Sequence, residues 1–217
     1  MKSKLIVALD VENRDRAAAL VDQLAGHVDV FKIGLQLFTR EGPAIVQLLT
    51  ARQQQCFLDL KFHDIPNTVA KAVESATTLK VALLTLHTAG GADMLRAAAK
   101  VAGHPLLLGV TVLTSVAGNV TEEVVRRAQL AADCGLEGVV ASAHEIQPIR
   151  VAVGTKLALV IPGIRPAWAG ADDQKRMMTP RDAVAAGADY LVVGRPIIGA
   201  ANPAEAAQRI RDEMASA

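Results

Sequence analysis

Phe57-Leu58-Asp59-Leu60-Lys61-Phe62 runs directly into His63-Asp64-Ile65-Pro66-Asn67-Thr68-Val69. Side chains alternate along a strand, so Leu58, Leu60 and Phe62 share one side and Asp59 and Lys61 the other. Pro66 then suits the first turn of a helix. The stretch therefore reads as one βα unit, with apolar residues toward the helix and two opposite charges on the far side.

The same unit recurs in both directions. Strand-like runs lie at Leu5 to Asp10, Asp29 to Gly34, Phe57 to Lys61, Ala82 to His87, Leu106 to Val112, Gly138 to Ser142, Leu157 to Ile161 and Tyr190 to Gly194. Helical spacing begins between them near Arg14, Pro43, Pro66, Gly91, Thr121, Ala143, Thr179 and Pro203. Parallel strands buried on both faces need crossover helices. Eight units in 217 residues predict an α/β chain, a (β/α)8 TIM barrel that occupies residues 1–217 as a single domain. The competing arrangement is a doubly wound open sheet, but no G-x-G-x-x-G follows the first strand to support its dinucleotide-binding form. No linker divides the chain, and the only long irregular stretch expected is Pro162 to Met178.

Composition excludes several functional classes. Charged residues make up 21% and nearly cancel to +1, which gives no broad basic face for nucleic acid or for a membrane surface. Aromatic residues are 3% of the chain, too few for a base-stacking platform. The apolar run from Leu5 to Leu9 stops at Asp10, too short for a signal peptide or a span, so a cytoplasmic protein is expected. Cys56 and Cys134 show no pairing or metal-ligand spacing and read as buried, reduced thiols.

In a barrel, strand parity becomes geometry. Ile6, Ala8 and Asp10 face inward, as do Val30, Lys32 and Gly34, and then Asp59 and Lys61. Three consecutive strands thus carry charge to the interior at their carboxyl ends, where barrel enzymes hold their active sites. A structural ion-pair ladder is the alternative. Buried ion pairs seldom outperform apolar packing, so a barrel built for stability alone would place Val, Ile or Leu there. The eighth run ends Val193-Gly194-Arg195 and the seventh unit ends Pro162-Gly163-Ile164-Arg165, which places two guanidiniums where barrels commonly hold phosphate. The polar connection from Arg165 to Met178, with Gly170 and Asp172-Asp173-Gln174, has the length and composition of a closing loop. Trp168 within it is expected to pack the loop. His63 and His87 lack a paired ligand pattern and read as hydrogen-bonded structural residues, and no metal is predicted.

Asp59-Leu60-Lys61-Phe62-His63-Asp64-Ile65-Pro66-Asn67-Thr68 resembles the D-x-K-x-x-D-I-P-N-T signature of the orotidine 5'-monophosphate decarboxylase family. The resemblance extends over Ala8-Leu9-Asp10, Phe31-Lys32-Ile33-Gly34, Val112-Leu113-Thr114-Ser115, Pro162-Gly163-Ile164-Arg165, Gln174, Met178-Thr179-Pro180 and Val193-Gly194-Arg195. It implies a cofactor-free decarboxylation of orotidine 5'-monophosphate to uridine 5'-monophosphate. Lys61 would donate the proton to C6, and Lys32, Asp59 and Asp64 would complete a charged tetrad. Asp10 and Lys32 would bind ribose hydroxyls, Thr114 the pyrimidine, and Arg165, Gly194 and Arg195 the phosphate. Gln174 would bridge base and phosphate. Asp64 and Thr68 would serve the neighbouring subunit's site, so the resemblance implies a homodimer. Magnesium-dependent sugar-phosphate decarboxylases and aldolases of related barrels share D-x-K-x-x-D without the I-P-N-T continuation, and remain the alternative.

Overall fold

The computed structural model describes residues 3–116, 118–169 and 178–217. Its strands are β1 Lys4–Ala8, β2 Val30–Gly34, β3 Cys56–Phe62, β4 Leu83–His87, β5 Leu106–Val110, β6 Gly138–Val140, β7 Ala158–Ile161 and β8 Tyr190–Val193. They form one closed parallel barrel in sequence order, with β8 returning to pair with β1. Helices α1 Arg14–Leu24, α2 Leu35–Glu41, α3 Ala44–Ala51, α4 Pro66–Thr78, α5 Gly91–Ala99, α6 Thr121–Asp133, α7 Ile146–Val153, α8 Pro180–Ala186, α9 Arg195–Ile198 and α10 Pro203–Ala215 connect or follow them. The expected single-domain (β/α)8 barrel is what the chain forms.

Local chemistry starts these helices where the sequence indicates. The side chains of Asn13, Thr179 and Asn202 accept a backbone N–H from the first turns of α1, α8 and α10. Pro66, Pro180 and Pro203 occupy first-turn positions whose missing N–H costs nothing. Two helices were not anticipated. α2 precedes the one expected near Pro43; it buries only Leu37, so its apolar periodicity is faint, and Gly42 ends it at φ 61°. α9 is a four-residue turn directly after β8. β5 also stops at Val110, two residues short of the expected Val112.

Two apolar layers result. Val7, Leu9, Phe31, Ile33, Leu58, Leu84, Leu107, Leu159, Ile161, Leu191 and Val193 pack outward against the helices as part of the main core. Ile6, Ala8, Val30, Phe57, Leu83, Leu108, Val160 and Val192 fill the barrel itself. This plug is what lifts polar groups to the carboxyl end of the barrel. At the opposite end, Asp29 accepts the N–H of Leu5, Glu137 that of Leu107 and Asp189 that of Leu159. Arg211 pairs with Asp29 and Arg150 with Asp189, so that rim is devoted to stability. Both thiols are unpaired and buried, and burial pushes Cys56 up to about 12. Among the described residues no helix is long and apolar enough to cross a membrane.

Candidate active site

The apolar plug ends beneath a cavity of about 340 Å³ at the carboxyl ends of the strands. Its walls include Asp10, Lys32, Asp59, Lys61, Thr114, Arg165, Gly194 and Arg195, together with Phe57, Val110, Val160 and Val192 at the base. Eight of the side chains or glycines expected from the sequence thus line one space. Strand register explains the convergence: Ala8 stands level with Lys32, Lys32 with Phe57, and Gly34 with Asp59, so successive strands present their charges on a rising spiral.

The charges form a continuous row. Lys32 Nζ lies 3.2 Å from Asp10 Oδ1 and 3.7 Å from Asp59 Oδ2. Lys61 Nζ lies 2.8 Å from Asp59 Oδ1. The side chains of Lys32 and Asp59 are 12% and 14% exposed, whereas Asp10 at the outer end is 58% exposed. Desolvation therefore falls mainly on the inner pair, where each charge is held by an opposite one. A Cβ at Gly34 would stand 3.0 Å from Lys32 Nζ and 3.4 Å from Asp10 Oδ1, so glycine leaves room for this contact.

Lys61 reaches its place through an irregular strand. Leu58 is level with Leu84 but Phe62 with Leu86, so residues 59–61 oppose the single residue Thr85. Lys61 sits at φ 52°, a left-handed backbone that side-chain-bearing residues avoid. The expected sides hold, with Leu60 and Phe62 against the outer core, but a bulge and not a regular pleat achieves it. Thr85 was not singled out by the sequence; a threonine inside the apolar run Leu83-Leu84-Thr85-Leu86 was the available signal.

Asp64 and Thr68 are exposed and are not among the residues lining this cavity. Asp64 Oδ1 accepts the N–H of Ile65 at 2.7 Å. Gln174, with Gly170, Asp172 and Asp173, lies outside the described residues. The connection that contains it is closed at its base, where Arg165 N–H donates to the Met178 carbonyl at 3.1 Å. Trp168 turns away from the cavity toward α10: its Nε1 donates to Glu213 at 2.9 Å, and the Arg209 guanidinium lies 4.1 Å from its ring centre.

His87 ends β4 and stacks on His63, with ring centres 5.3 Å apart. Its Nδ1 accepts the N–H of Ala89, a structural contact. Burial, reinforced by the positive neighbours His63, Arg127 and Lys61, holds its pKa below the ordinary 6.5. The unfolded chain then takes up a proton more readily than the folded one, so stability is full above about 6.5 and declines as pH falls through and below it. His87→Gln should lessen the fall in melting temperature between about pH 7.5 and 5.5. An unchanged fall would assign that pH dependence to other groups.

Comparison with known proteins agrees with this geometry. The profile of the Orotidine 5'-phosphate decarboxylase / HUMPS family matches residues 3–210. The orotidine 5'-phosphate decarboxylase of Heliobacterium modesticaldum is 50% identical, with 99% of this chain and 96% of that protein covered. That of Syntrophotalea carbinolica is also 50% identical, over 100% of this chain and 96% of the other. The crystal structure of orotidine 5'-phosphate decarboxylase from Lactobacillus acidophilus superposes with a TM-score of 0.86 at 34% identity, covering 98% of this chain and 99% of that one. A full-length barrel with this row of charges at its carboxyl rim, and relatives at half identity over nearly their whole length, place the chain in the Orotidine 5'-phosphate decarboxylase / HUMPS family.

Proposed function

We propose that this protein decarboxylates orotidine 5'-monophosphate to uridine 5'-monophosphate in de novo pyrimidine biosynthesis, as a cytoplasmic homodimer, with neither metal nor organic cofactor. The observation that carries the proposal is the row Asp10, Lys32, Asp59, Lys61 in the same cavity as Gly194 and the two arginines of a phosphate grip.

Loss of carbon dioxide breaks the bond to C6 and leaves its electron pair in the ring plane, where the uracil π system cannot delocalise it. A fixed cation is the resource suited to that problem. The Lys61 ammonium stabilises the developing carbanion and then transfers a proton to C6, so its effect belongs to the transition state. Asp59 keeps that ammonium aimed. A substrate carboxylate ~4 Å from Asp59 would meet repulsion of roughly 4 kcal/mol at an effective dielectric of ~20, relieved when neutral carbon dioxide departs. This is a secondary contribution beside the cation.

Asp10 and Lys32 take ribose hydroxyls, Thr114 the pyrimidine, and Arg165, Gly194 and Arg195 the phosphate. Gln174 bridges base and phosphate. Asp64 and Thr68, exposed beside the cavity, are assigned to the partner subunit's site. Leu35 and Ile65 support this assignment: they follow the neighbouring strands β2 and β3 at the same barrel end and are 57% and 66% exposed. Large apolar side chains left exposed at one rim are suited to burial against a second copy.

Purified protein should bleach the absorbance of orotidine 5'-monophosphate at the same rate with and without a chelator. Absence of bleaching would sink the proposal. Turnover of a keto-sugar phosphate that chelation abolishes would instead assign the magnesium-dependent chemistry of the related barrels.

A further inference from the structure

Thr85 is fully buried in β4, yet its hydroxyl is not idle. Its Oγ1 accepts the backbone N–H of Lys61 at 2.9 Å and donates to Asp59 Oδ1 at 3.0 Å. That same carboxylate oxygen receives the Lys61 ammonium at 2.8 Å. That oxygen therefore closes a ring through the Thr85 hydroxyl and the backbone N–H and side chain of Lys61.

Each of the two bonds has a distinct consequence. Where residues 59–61 oppose one residue of β4, the regular ladder cannot serve every backbone group, and a buried N–H without an acceptor is costly. Thr85 supplies the acceptor at Lys61, the residue held at φ 52°. The left-handed conformation persists only when its surroundings over-determine it, and this hydrogen bond is part of that surrounding. With its oxygen committed to accept from Lys61, the hydroxyl proton points to Asp59 and fixes the orientation of that carboxylate. A valine would have matched the neighbouring Leu83, Leu84 and Leu86 at lower desolvation cost, so the hydroxyl earns its place through these bonds.

We propose that Thr85 is a positioning residue for the decarboxylation: its hydroxyl fixes the Lys61 backbone in the bulge and holds the Asp59 carboxylate in place against the Lys61 ammonium. It touches no substrate atom and acts through those two residues. The inference rests on the reading of Lys61 and Asp59 as the reacting pair.

Thr85→Val and Thr85→Ser test it. The valine variant should lose about a hundredfold in kcat, the scale of a small misplacement of a reacting group, while KM for orotidine 5'-monophosphate changes by less than about threefold, since the phosphate and ribose contacts are untouched. The serine variant should recover kcat to within about threefold of the parent, since it keeps the hydroxyl. A valine variant with parental kcat would overturn the proposal, and so would a serine variant as slow as the valine one. If Thr85→Val does not fold, Thr85→Ser and Thr85→Ala carry the comparison. Both lack the methyl group and they differ by the hydroxyl, so equal kcat in the two overturns the assignment. Lys61→Ala separates the two levels. If it keeps turnover, the reading of the reacting pair fails; if it abolishes turnover while Thr85→Val does not slow it, Thr85 alone is wrongly assigned.

Discussion

Lys61→Ala is expected to lower kcat by about five orders of magnitude and leave the barrel folded. Two separate losses combine. A unit charge ~4 Å from the developing carbanion contributes about 4 kcal/mol at an effective dielectric of ~20, close to a thousandfold in rate. Loss of the positioned proton donor removes roughly another hundredfold or more. The fold should tolerate the change because Asp59 keeps a second cation, Lys32, 3.7 Å away, as well as the Thr85 hydroxyl at 3.0 Å. The Lys61 side chain is moreover 31% exposed, so its removal opens no sealed cavity. Single-turnover assays, thermal melts and uridine 5'-monophosphate binding check the three parts of this expectation. Retained turnover would remove Lys61 from the chemistry; a collapsed melting transition would mean that the row of charges holds the rim together.

Arg195→Ala should instead act on binding. A guanidinium engaged with phosphate through two charge-assisted hydrogen bonds contributes about 3 kcal/mol, so kcat/KM for the nucleotide should fall somewhat over a hundredfold, chiefly through KM. Binding energy from this remote end also helps to order the reacting groups, so a smaller decline in kcat is expected with it. The nucleoside orotidine, which lacks the phosphate, provides the control. Its slow turnover should be the same in parent and variant. Equal losses with nucleotide and nucleoside would show that Arg195 supports the site and does not grip the phosphate. Gly194, beside it, stands where a Cβ would come 3.7 Å from Ala8 and 3.9 Å from Asp10 Oδ2, ordinary contact distances. Room alone does not demand glycine there.

These two variants bear on opposite ends of one cavity, and the pattern between them is the stronger test. Lys61 lies on β3 and Arg195 opens α9 after β8. If the phosphate grip and the charged row serve one substrate, the first substitution should lower turnover with binding largely kept, and the second should do the reverse. Two variants with the same profile would argue for a shared structural defect.

The amino-acid sequence by itself determined the repeating unit and the side on which each residue falls. Alternation assigned Asp10, Lys32, Asp59 and Lys61 to the interior because a strand's side-chain period is two and the residues between them are large and apolar. Pro or Thr at helix starts marked where units begin, because first-turn preferences are local to neighbours in the chain. Only the tertiary structure decided the rest. That Asp10, Lys32 and Asp59 fall within 4 Å links of one another depends on the register between strands, which separate segments fix by pairing. The three-to-one bulge at residues 59–61 is likewise a relation between β3 and β4, and no spacing within either strand encodes it. Thr85 looked like an ordinary polar interruption in an apolar run until that bulge brought it against Lys61 and Asp59. Local periodicity is a property of the backbone's own geometry, whereas a hydrogen bond across 24 or 26 residues of chain exists only once the barrel has closed.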